Sequence, residues 1–114
     1  MTVKNESHPI NRGVNPWSYR EEIFSRFFLW DDPRRTELLI GTPTRAKALG
    51  PLVTAWAYQR DDGGRGFAFG GVDIHKNLLI EDHRRFLLNG IVWAAGMEVP
   101  EGGVISTVPE ELMK

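Results

Sequence analysis

One amphipathic helix has to serve this whole chain. The run Arg84-Arg85-Phe86-Leu87-Leu88-Asn89-Gly90-Ile91-Val92-Trp93-Ala94-Ala95-Gly96 is the longest stretch with helical periodicity. Glu81-Asp82-His83 opens it with two acids at the positive end of its dipole. Phe86, Leu87, Gly90, Ile91, Ala94 and Ala95 recur at three- and four-residue steps and define the face expected to pack on a sheet. Gly90 on that face would let the strands come close. Gly96 is a natural C-cap, and Pro100 prevents continuation.

The sheet that this helix covers is read from the residues ahead of it. Glu37–Ile40 is a short apolar run between charge and Gly41-Thr42-Pro43, which suits a buried strand. Leu52–Tyr58 alternates, with Thr54, Trp56 and Tyr58 on one face and Val53, Ala55 and Ala57 on the other. Asp61-Asp62-Gly63-Gly64 joins it to Gly66–Val72 as a hairpin. The second strand ends in glycines and a polar cluster, Gly70 to His75, a usual place for a site in an open α/β sheet. The first 18 residues are rich in turn formers and predict an irregular loop. Glu21–Leu29 fits a helical stripe through Ile23, Phe24, Phe27 and Phe28, and equally a strand by composition. From Glu101 the chain is polar and Gly-bearing, which predicts a loosely packed tail with one helical turn at most near Pro109–Leu112. At 114 residues this is one domain, residues 1–100, followed by the tail, 101–114.

Composition narrows function by exclusion. A net charge of −1 gives no basic field for nucleic acid. No run approaches the roughly 20 apolar residues of a membrane span, and the polar start lacks the apolar core of a secretory signal. The expectation is a soluble, cytoplasmic protein. The absence of cysteine excludes disulfides, thiolate metal sites and a cysteine nucleophile. No Gly-x-Ser-x-Gly elbow occurs, and no Gly-Lys-Ser/Thr follows the hairpin glycines, so those read as turn chemistry.

Several runs together resemble the ThuA-like (trehalose-utilisation) family: Ala55-Trp56-Ala57-Tyr58, Gly63–Phe67, Gly71-Val72-Asp73-Ile74-His75-Lys76-Asn77 and Arg84–Gly96, with His8-Pro9-Ile10-x-x-Gly13 and Glu21-Glu22-Ile23-Phe24 ahead of them. The resemblance covers about residues 8 to 105. It implies an α/β fold of the class I glutamine amidotransferase-like (flavodoxin-like) type, three-layered, with a mixed, mostly parallel sheet and one main C-terminal helix. It also implies that Glu21–Leu29 is a strand, and that the substrate area is trehalose and related glycosides. The motifs belong to the C-terminal half of such a domain, so the fold would be partial. Its exposed sheet edge would then favour self-association. The family's Gly-His pair falls on Val72-Asp73, which places Asp where an imidazole is usual, while His75 is kept.

Asp73 and His75, two apart on an extended strand, point to one side. A carboxylate beside an imidazole can act as base and orienter, or as two ligands of a metal. His8, His83 and Glu22 are the only further donors in view; two ligands do not make a centre, so no metal or cofactor is expected. The structural alternative for His75 is a cap on the elbow before the helix. Arg65 suits a carboxylate or phosphate, or else an ion pair with Asp61 or Asp62. Trp17 suits stacking on a sugar ring, or plugging the edge of the core, and Gly71 stands at the strand end beside the polar cluster. Trp56 and Trp93 read as core aromatics, and Arg84-Arg85 as a solvated face. Two functions follow. One is an enzyme acting on a glycoside or keto-sugar through His8, Asp73 and His75, with Trp17, Arg65 and Gly71 as binders. The other is a non-catalytic remnant that binds a sugar or assembles with a partner.

Overall fold

Three strands, β2 (Arg35–Gly41), β3 (Leu52–Gln59) and β4 (Arg65–Phe69), form a meander, and the short β1 (Thr2–Val3) adds to the other side of β2. The computed structural model describes residues 1–113. Every ladder in this sheet is antiparallel, in the order β1-β2-β3-β4. A mixed, mostly parallel sheet was the expectation, and the connections explain the difference. A parallel pair needs a crossover of a dozen or more residues, whereas residues 60–64 alone join β3 to β4. There Gly63 takes φ +87°, and the Asp62 carboxylate accepts from the Gly64 N–H at 2.8 Å. The architecture is a mixed α/β domain with an antiparallel sheet and one main helix.

Helix α1 (Glu81–Ala94) packs on β4. Phe86 meets Phe67 and Phe69 edge-on, with ring centroids 5.6 and 5.0 Å apart. Gly90 lies directly under Phe67, and a Cβ there would overlap the ring, so the close approach expected of this glycine is present. The buried face is rotated from the expected one. His83, Phe86, Asn89, Gly90 and Trp93 point inward, while Ile91 is 54% exposed and Ala94 and Ala95 face solvent. An apolar count discards His83 and Asn89 as polar, yet both are fully buried. Gly96, with φ +80°, follows the helix as expected.

The second half of the core comes from the N-terminal loop. Ile10, in a 3-10 turn (Pro9–Asn11), and Trp17 sit among Leu38, Leu39, Ala55, Ala57, Phe86 and Trp93. Irregular register at Glu37/Leu39 and Leu39/Ile40 lets consecutive Leu38 and Leu39 both enter this cluster. Asn89 is the tie. Its amide donates to the Ile10 and Arg12 carbonyls at 2.9 and 3.0 Å and its oxygen accepts from the Val104 N–H at 2.8 Å. The start of the tail is therefore tied down at Val104, while Ile105, Leu112 and Met113 stay exposed. Val99 is 1% exposed, and Gly103, at φ +81°, rests on the Arg12 carbonyl so closely that a Cβ would overlap it.

Residues 21–29 form neither strand nor helix. A strand needs a ladder partner, and this segment pairs with none of the four strands. Phe27 packs edge-on against Trp56 at 5.5 Å, so Trp56 is half-buried and lies outside the core cluster, unlike Trp93. Among the described residues no helix is long and apolar enough to cross a membrane.

Candidate functional site

The two ends of β4, roughly 13 Å apart at strand rise, each border a depression. At the C-terminal end Glu22, Phe24, Phe69, Gly70, Val72 and Asp73 line about 280 Å³. Its walls are held by polar ties between the 19–22 segment and the elbow. The Glu21 carboxylate accepts from the Ile74 N–H at 3.0 Å and from the Asn77 amide at 2.9 Å. Burial acts to raise the Glu21 carboxyl, but these bonds and that from its neighbour's N–H hold it below its ordinary value. The Tyr19 hydroxyl donates to the Gly71 carbonyl at 3.1 Å, and burial followed by the nearby Glu21 charge pushes its pKa up.

His83 lies beneath this rim with no exposure, and Trp17, Tyr19 and Phe69 surround it at 5.7, 5.1 and 5.3 Å. Among the described residues neither ring nitrogen has a hydrogen-bond partner. Burial lowers its pKa, and the Glu21 charge opposes that only in part.

At the N-terminal end of β4 a second depression, also about 280 Å³, is lined by Pro9, Arg12, Arg65, Trp93 and the 96–99 turn. The Arg65 guanidinium stacks 4.9 Å from the Trp93 ring centroid and donates to the Trp93 carbonyl at 3.1 Å. It pairs with neither Asp61 nor Asp62. Those acids go to Arg34 at 3.0 Å and to Arg60 at 3.4 Å. The His8 ring stands 5.0 Å from Trp93, and its Nδ1 accepts from the Ile10 N–H at 3.2 Å, capping the 3-10 turn. Burial first, then the charges of Arg65 and Arg12, lower the His8 pKa.

The six residues singled out from the sequence therefore divide into groups. Asp73 lines the C-terminal depression, with Gly71 buried at its back. His75 is exposed at the start of the next turn (His75–Leu79), and the cap positions of that turn and of α1 are Ile74 and Ile80, so His75 caps neither. His8 and Arg65 belong to the other end of β4. Trp17 is 8% exposed and plugs the core between them. Among the described residues no three His, Asp or Glu side chains are grouped to hold a metal ion.

The sequence reading gave Glu22 only a marginal role as a metal donor and did not single out Phe24 or Arg12 as site residues. The signal for the first two was weak: an aromatic next to two acids, in a segment whose helical and strand patterns were equally good. Arg12, reached by the fold of the N-terminal loop, had none. Compared with family models, with curated proteins and with solved structures, the chain matches none.

Proposed function

We propose that this domain is a sugar-binding module of a carbohydrate-utilisation system, with trehalose or a related glycoside as its ligand class. The observation that carries the reading is the C-terminal depression itself, which the exposed Phe24 lines together with Glu22 and Asp73. A pyranose offers one C–H face to an aromatic ring and hydroxyls around its rim. Carboxylates, which only accept when ionised, suit those hydroxyls. The ThuA-like resemblance adds the sugar class. A shallow, open site with few polar partners implies weak binding. Titration of the full chain with trehalose, followed by NMR, is expected to shift the Phe24, Gly70 and Asp73 signals saturably. Phe24→Ala and Asp73→Asn should each weaken the effect severalfold. Shifts that do not saturate, or that persist in both variants, would remove the proposal.

One observation favours a second reading. Two carboxylates on one depression are also the minimum equipment for glycoside hydrolysis, with one as acid and one as base. His8 has no part in it, since it lies at the other end of β4. Release of reducing sugar from trehalose, lost in both Glu22→Gln and Asp73→Asn, would select the enzyme over the module.

A further inference from the structure

The structure assigns a second ligand site to the N-terminal end of β4: Arg12 and Arg65, which line one depression with Trp93, form a receptor for a phosphoryl group. The Arg65 guanidinium is preorganised by stacking on Trp93 and by one bond from its Nη1 to the Trp93 carbonyl, which leaves most of its N–H groups free. Arg12 is likewise oriented by one bond from its Nη1 to the Val99 carbonyl at 2.5 Å. Among the described residues Arg65 makes no ion pair. Arg12 has only Glu98, at 3.9 Å, whose side chain is 90% exposed and therefore competes weakly. The His8 ring stands 5.0 Å from Trp93 beside this depression, where burial first and then both guanidinium charges lower its pKa. Two forks held by backbone carbonyls, with their remaining donors unused around one depression of about 280 Å³, suit a tetrahedral dianion. The negative end of α1 lies at the same place, and Arg65 offsets it. This site shares no lining residue with the sugar depression, so either can fail without the other.

Inorganic phosphate is the first probe, read by NMR on the full chain at constant ionic strength set with sodium chloride. A saturable shift of the Trp93 indole and His8 ring signals is expected. Arg12→Gln and Arg65→Gln should each weaken it about tenfold, the scale of one charge-assisted pair. Glu98→Gln, at an exposed position, should strengthen binding two- to threefold without touching the fold. A phosphorylated sugar that binds more tightly than phosphate would support an ester as the ligand, and equal affinity the free ion. Shifts that chloride reproduces, or that persist unchanged in Arg12→Gln and Arg65→Gln, would overturn the assignment.

Discussion

Replacing Asn89 by alanine tests the central claim about this fold, that one buried amide joins its three separate parts. The side chain is fully buried and satisfies three backbone groups at once: the Ile10 and Arg12 carbonyls and the Val104 N–H. Alanine preserves the helix, so propensity contributes little and acts in favour of the variant. Each orphaned backbone group costs about 1 to 3 kcal/mol when water cannot reach it. Ile10 is fully buried, and the other two groups are only partly screened, so the lower half of that range applies to them. The sum is about 3 to 7 kcal/mol, a large share of the roughly 5 to 15 kcal/mol of a typical domain. Urea unfolding followed by tryptophan fluorescence should move the midpoint down by about 2 M or more at an unchanged slope of about 1.5 kcal/mol/M. Asn89→Asp keeps the acceptor, loses both donors and buries a charge, so it should be at least as damaging at neutral pH. A loss below about 1 kcal/mol for Asn89→Ala would refute the reasoning, because the three groups would then have to be satisfied without it.

Acid should destabilise the domain through His83. Its folded pKa lies below the ordinary value, so as pH falls through about 6.5 the unfolded chain takes up a proton that the folded chain refuses. Stability then drops by up to about 1.4 kcal/mol per pH unit, with His8 adding in the same sense. His83→Phe should flatten the curve between pH 6.5 and 5 in thermal melts, and an unchanged slope would clear His83 of this role. Gly103→Ala, at positive φ and against the Arg12 carbonyl, should cost about 3 kcal/mol and release the tail to proteolysis. Gly90→Ala gains about 1 kcal/mol of helix propensity but displaces the Phe67 ring, at about 1 to 3 kcal/mol. A small net loss in the melting temperature is expected, and a gain would mean that Phe67 swings aside freely.

What could be read from the sequence was what neighbouring residues decide. The hairpin at residues 60–64 needed only its glycines and Asp62, and the helix only its periodicity and its stop signals. That hairpin already implied antiparallel β3 and β4; the mostly parallel pairing came from the resemblance alone, and β1–β2 and β2–β3 are antiparallel as well. Asn89 and His83 were passed over for a shared reason: burial of a polar residue depends on partners 70 or more residues away for Asn89, and on an aromatic cage for His83. Residues 21–29 show the converse. Their aromatic content suggested a regular element, but the meander offers them no edge, and Phe24 is left exposed beside two carboxylates. The site was half legible: Asp73 stands where a strand end was expected to carry chemistry, whereas the pairing of His8 with it required a convergence that β4 keeps apart.

The seam that Asn89 closes also sets the order in which this chain can fold. The β3–β4 hairpin closes a loop of five residues, while the contacts that complete the core span 79 residues from Ile10 to Asn89 and 87 from Arg12 to Val99. Closing the longer span costs about 2.5 kcal/mol more chain entropy than closing the hairpin. The meander and helix are therefore expected to assemble while the N-terminal loop is still free, with docking of that loop as the slow step, and stopped-flow refolding of Asn89→Ala would show it as a slowed final phase. Until it docks, Phe86 and Trp93 lack the cover that Ile10 and Trp17 supply. The interval before the loop arrives is when this protein is most open to aggregation, and substitutions at Ile10 or Asn89 would lengthen it.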